Sequence, residues 1–139
     1  MSEIKVDTLT GKTSAGDITV TSEGGAATMQ LQQGLAKAWG KFSTGFTSVL
    51  DSLNISSLDD DGTGNGGANF SSAFANANYS TAQNVVWAIG TGNQVRTVAG
   101  DSQATSSFEF STGYVDGNGG WVYYEDTSPS LQINGDLAT

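Results

Sequence analysis

The apolar positions of this chain keep two different rhythms. Leu31, Leu35, Ala38 and Phe42 recur at steps of four, three and four, the spacing that lines one narrow face of a helix. This predicts one short helix over 27–42, with Thr28 as its candidate N-cap. On its own such a helix is weak. A length of about 15 residues is marginal in water, and Gly34 and Gly40 each cost roughly 1 kcal/mol relative to alanine. A narrow stripe on a weak helix is expected to pack against sister copies or against the β-structure that follows, and ordinary core packing is the plainer of the two.

On both sides of that segment the rhythm is simple alternation. Ile4, Val6 and Thr8 alternate with Lys5, Asp7 and Leu9, and Ile18 and Val20 repeat the pattern. Residues 1–26 therefore read as two short strands, too few to bury a core of their own. Behind the segment, Val49, Leu53 and Ile55 share one face of a strand, Phe70 and Phe74 one face of the next, and Phe108 and Phe110 another. Val85, Trp87 and Ile89 form the most hydrophobic run and are expected at the sheet centre, ahead of a turn at 90–93 and a strand at 95–99. The loop 116–120 (DGNGG) joins 114–115 to 121–124 as a hairpin. Leu131 and Ile133 make the last strand, with Leu137 as a terminal anchor, and 59–67 reads as a loop. Roughly eight short strands at spacings of about ten residues predict a mainly β, antiparallel, jelly-roll-like β-sandwich head over 43–139.

Composition agrees with many short strands and tight turns. The 139 residues include 19 glycines and one proline, with 37 % hydrophobic residues, enough for one domain plus an appendage. The net charge of −9 is unevenly placed. Residues 1–41 balance Lys5, Lys12, Lys37 and Lys41 against Glu3, Asp7, Asp17 and Glu23, whereas 42–139 set Arg96 alone against ten acidic residues. Such a head repels phosphates, so a nucleic-acid partner is not expected. The neutral front is the expected docking surface. The chain starts with neither a basic stretch nor an apolar run, and nothing approaches the about 20 apolar residues of a membrane helix. Membrane insertion is not expected either.

With no cysteine and no histidine, disulfides, thiolate chemistry and the commonest general base are all missing. Asp101, Glu109, Glu125 and Asp126 have no spacing that selects a carboxylate pair for sugar hydrolysis, and an enzyme is not expected. Asp59, Asp60 and Asp61 precede Gly62, but the twelfth position from Asp59 is Phe70 rather than glutamate, so the calcium-loop pattern fails. A solvated turn is the reading, with no metal and no cofactor. Trp87 is expected in the core. The run Trp121–Val122–Tyr123–Tyr124 must put rings on both faces of its strand, one set at an interface or against a ligand. Asp59, Asp60, Asp61, Tyr114, Trp121 and Tyr123 are the ligand-facing candidates. The acceptor patterns at Asn54, Asn69 and Asn78 are what a chain rich in Asn and Ser produces by chance.

Several segments occur in a distinctive order: SEIKVDTLTGK, LAKAW at 35–39, DSLNISSLDDDGTGN at 51–65, FSSAFANANYS at 70–80 and LQINGDLA at 131–138. Together, over nearly the whole chain, the set resembles small virion appendage proteins of tailed bacteriophages, especially marine ones, described as tail fibre or tail-associated proteins. The resemblance implies a homotrimer with its N-terminal part on the virion and a β-rich head facing outward. It implies a trimer interface at Leu31, Leu35, Ala38, Trp39 and Phe42, and virion attachment through Ile4, Val6, Leu9, Ile18 and Val20. The implied partners are sister copies, other virion proteins and a host-surface glycan or receptor, in a particle assembled in the bacterial cytoplasm. Unlike larger fibres, a chain of 139 residues has no long shaft. A capsid-surface decoration protein and a carbohydrate-binding module are the alternative functions.

Overall fold

A computed structural model describes residues 3–13, 18–25, 27–86, 96–125 and 127–138. The chain divides into two compact units, Met1–Leu35 and Ala36–Thr139, rather than at the expected boundaries near 26 and 42.

In the first unit, residues 3–13 form no strand, so the alternation of Ile4, Val6 and Thr8 finds no hydrogen-bonded neighbour there. Strands β1 (Thr19–Thr21) and β2 (Thr28–Gln30) pair antiparallel, with Val20 opposite Met29. Their connection, expected as a flexible lead into a helix, closes as a turn: the Ser22 amide donates to the Ala27 carbonyl at 2.8 Å.

The helix expected over 27–42 does not form. Its residues divide among β2, a single 3-10 turn at Leu31–Gly34 and strand β3 (Ala38–Phe42). The helical spacing of Leu31, Leu35, Ala38 and Phe42 hides a second period. Ala38, Gly40 and Phe42 alternate with Trp39 and Lys41, and pairing on both sides of β3 outweighs a helix already weakened by two glycines.

The second unit holds two antiparallel sheets. One has the order β4-β3-β11-β7, with β4 at Val49–Leu53, β7 at Ser80–Val86 and β11 at Thr127–Asn134. The other is built on β9 (Ser107–Val115), the longest strand. Along one edge of β9 run β6 (Asn65–Phe70) and then β10 (Trp121–Tyr123), along the other runs β8 (Arg96–Gln103), and β5 (Ile55–Asp60) lies outside β6. The two sheets face each other across Ala38, Phe42, Leu131 and Ile133 on one side and Ala68, Phe70, Phe108 and Phe110 on the other. Phe42 and Phe110 meet across the gap at 5.9 Å between ring centroids. Phe46, Phe74 and Tyr79 close the ends of the core. This is a β-sandwich arrangement. Strands neighbouring in sequence pair as hairpins within one sheet at β3–β4, β5–β6 and β8–β9.

Four details differ from the sequence reading. The run from Val49 to Ile55 is two strands in different sheets, because Asn54 turns left-handed (φ 59°) between them, a conformation asparagine tolerates. Its side chain ties the corner down, accepting from the Ser72 amide at 2.7 Å and donating to the Ser72 carbonyl at 3.0 Å. The stretch 59–67 is a tight hairpin between β5 and β6, not a loop, and Phe74 lies beyond β6, bridging Leu137. Strand β7 is an edge strand rather than the sheet centre. Trp87, Ile89 and the turn at 90–93 lie outside the described residues. The hairpin at 116–120 forms as expected: the Asp116 carboxylate accepts from the Asn118 and Gly120 amides at 2.9 and 2.8 Å. Among the described residues no helix is long and apolar enough to cross a membrane.

Candidate functional site

The outer faces of the two sheets carry different chemistry. On the four-stranded sheet, the register sets Trp39 opposite Gln132, and Gln132 opposite Ala82. One step along, Lys41 stands opposite Ser130, and Ser130 opposite Asn84. Alternation turns all six outward, away from Ala38, Phe42, Leu131 and Ile133 beneath. They line a groove of about 380 Å³. Among these lining residues Trp39 is half-buried and Ala82 exposed. Asp51 stands across from Lys41 on β4, which offsets that cation.

On the other sheet, alternation along β9 turns Glu109, Ser111, Gly113 and Val115 outward. Asp59 and Glu109 both lie opposite Gly67, one on each side of β6, and the Glu109 carboxylate rests over Gly67 where any Cβ would collide with it. Partial burial pushes the Glu109 carboxyl above the ordinary glutamate value of 4.5, and the charges of Asp61, Asp59 and Asp101 push it further. The three adjacent aspartates do not converge. Asp59 accepts from the Asn69 side-chain amide at 2.8 Å, while Asp60 accepts from the Gly62 backbone amide at 3.0 Å. Among the described residues no three such side chains are arranged to hold a metal ion.

The aromatic candidates divide between faces. Trp121 and Tyr123 lie outward, ring centroids 6.3 Å apart at 84°, and the indole packs over Gly113 with its N–H buried and without a hydrogen-bond partner. Tyr114 belongs to the inward face. With Tyr124 it brackets Arg96, whose guanidinium carbon sits 3.5 Å from the Tyr124 ring centre and 4.9 Å from that of Tyr114. Cation–π contact of this kind fixes the chain's one arginine at the end of the core. Tyr114 is half-buried, with its ring engaged by Arg96.

The residues expected at a trimer interface do not share one surface. Ala38 and Phe42 are fully buried in the core of their own chain, so they have no surface to offer a sister copy. Trp39 lies in the groove of the outer sheet face, and Leu31 and Leu35 stay with the first unit, Leu35 exposed. Of the attachment candidates, Ile4, Val6, Leu9 and Val20 are exposed and Ile18 is half-buried. The groove itself was missed by sequence reasoning. Its signal was present in the alternation of Trp39 and Lys41 within β3, masked by the helical spacing of the same stretch.

No protein-family model matches the chain. No curated protein matches it, and no solved structure does.

Proposed function

We propose that this chain is a structural protein of a bacteriophage particle, a short trimeric tail fibre or tail-associated appendage. The ordered motifs from KVDTL to NGDLA support the assignment, and one structural observation favours it over a free-standing domain. The first unit carries Ile4, Val6, Leu9, Val20, Met29 and Leu35 all exposed, on a segment whose described secondary structure is one hairpin and one 3-10 turn. Exposed apolar residues carried on so little structure support a surface completed by other chains.

In this reading Leu31 and Leu35 meet their counterparts in two sister copies. Ile4, Val6, Leu9, Ile18 and Val20 add to the sheet edge of a neighbouring virion protein by main-chain hydrogen bonds. The acidic, jelly-roll-like head faces solvent, and its hairpin tips at 61–64 and 116–120 are available to a host surface. No catalytic step is assigned. Light scattering on the full chain tests the assembly: the expected mass is that of three copies of the 14.3 kDa chain, and Leu31→Asp with Leu35→Asp lowers it to one. A wild-type chain that stays monomeric and folded at micromolar concentration overturns the trimer. Imaging a labelled chain on the particle separates tail appendage from capsid-surface decoration.

A further inference from the structure

We infer that the groove on the outer face of the four-stranded sheet is a binding site for a neutral glycan, with Trp39 as the stacking platform. The inference stands on unit Ala36–Thr139 and does not depend on the virion reading or on trimerisation.

Three features of the groove point to a sugar. First, its size of about 380 Å³ falls within the range of small-molecule sites. Second, it joins one flat ring to a set of short polar side chains. A pyranose has an apolar face of C–H bonds and a rim of hydroxyls, so it needs both an aromatic surface and hydrogen-bonding groups around it. The strand register supplies them at fixed spacing. Gln132 lies beside Trp39, about 5 Å away across the strands, and Lys41, Ser130 and Asn84 form a second row about 7 Å along. Third, the polar groups have capacity to spare. The Lys41 ammonium and the Asn84 side-chain amide make no hydrogen bond or ion pair with other described residues, while the Gln132 amide makes a long 3.3 Å bond to Asn134.

Charge selects among sugars. Asp51 stands opposite Lys41 and offsets that cation, and the chain as a whole is at −9. An acidic polysaccharide is repelled by that field, and a neutral one is not. The same balance disfavours a nucleic-acid strand stacking on Trp39, which would require cations along the groove.

The test titrates the full chain, labelled with 15N, separately with cellohexaose, maltohexaose, mannohexaose and chitohexaose at up to millimolar concentration. Binding of at least one probe is expected, shifting the Trp39 indole and the amides of β3, β11 and the described part of β7. Trp39→Ala should weaken that binding by about threefold to tenfold, the loss expected for one aromatic stacking contact. Because Trp39→Ala removes a half-buried ring, Lys41→Ala and Asn84→Ala provide a second reading at exposed positions, each weakening binding by several-fold with an unchanged fold. Failure of all four neutral probes to bind overturns the inference. So does binding that Trp39→Ala leaves unweakened, or Trp39 shifts that follow protein concentration rather than added sugar, which would make the groove a contact between copies.

Discussion

Two antiparallel pairs in this molecule look alike locally and differ completely in burial. Across β1–β2, Val20 faces Met29; across β3–β11, Ala38 faces Ile133. The first pair is exposed, Met29 at 62 %, whereas both members of the second are at 0 %. The ladder of backbone hydrogen bonds is the same kind in both. The difference is a second layer: Ile133 and Ala38 lie under the facing sheet, and the described residues of the first unit form only one two-stranded sheet. Pairing gives a strand its shape, and stacking of a second sheet gives it stability.

The contrast can be strained hardest at the sandwich centre. Phe110→Ala removes a ring packed against Phe42, Phe46 and Phe108 and is expected to cost about 3–5 kcal/mol, read as a lowered urea midpoint for the second unit. Gly64→Ala comes next. Gly64 is left-handed (φ 65°), and an added Cβ would lie 2.5 Å from the Tyr124 amide nitrogen and 2.6 Å from the Thr112 carbonyl, where β6 gives way to β10 along β9. A loss of about 2–3 kcal/mol is expected; an unchanged midpoint would mean that this junction yields freely.

Tyr79→Phe tests a single buried hydroxyl, which lies within donating distance of the Ser107 and Ala104 carbonyls at 2.9 and 3.0 Å. The expected loss is about 1 kcal/mol. Glu109→Gln reverses the sign. The folded state holds this carboxyl's proton more tightly than the unfolded chain does, so stability is lost as pH rises through its raised pKa. The variant should therefore be more stable than wild type at neutral pH, and the advantage should vanish below the ordinary value of 4.5. An advantage that persisted in acid would point to packing instead of charge. Smallest of all is Leu35→Asp, which lies outside the sandwich unit and is expected to move the urea midpoint of the second unit by less than about 0.5 kcal/mol in energy. A larger shift would mean that Leu35 supports the folded state beyond its own unit.

Much of the sandwich was legible because alternation is a local signal: Phe108 and Phe110, Leu131 and Ile133, and the hairpin at 116–120 all lie where period two and turn residues put them. What failed depended on distant partners. Ala38 and Phe42 satisfy helical and strand spacing alike, and only β11 and β4 on either side decide between them. Val49 and Ile55 look continuous until the left-handed Asn54 carries the chain to the other sheet. The groove around Trp39 combines β3, β7 and β11, positions some forty and fifty residues apart, a proximity that no reading along one strand contains. In the acidic trio, alternation sends Asp59 and Asp60 to opposite faces of β5, and Asp61 follows the strand.

Strand β9 has a consequence of its own. It is flanked by β8 on one edge and by β6 followed by β10 on the other, so the amides from Phe108 to Tyr114 are shielded on whichever side they point. Opening any one neighbour still keeps half of them bonded. In heavy water these should be the last backbone protons to exchange, reporting global unfolding while those of β1 and β2 are replaced first.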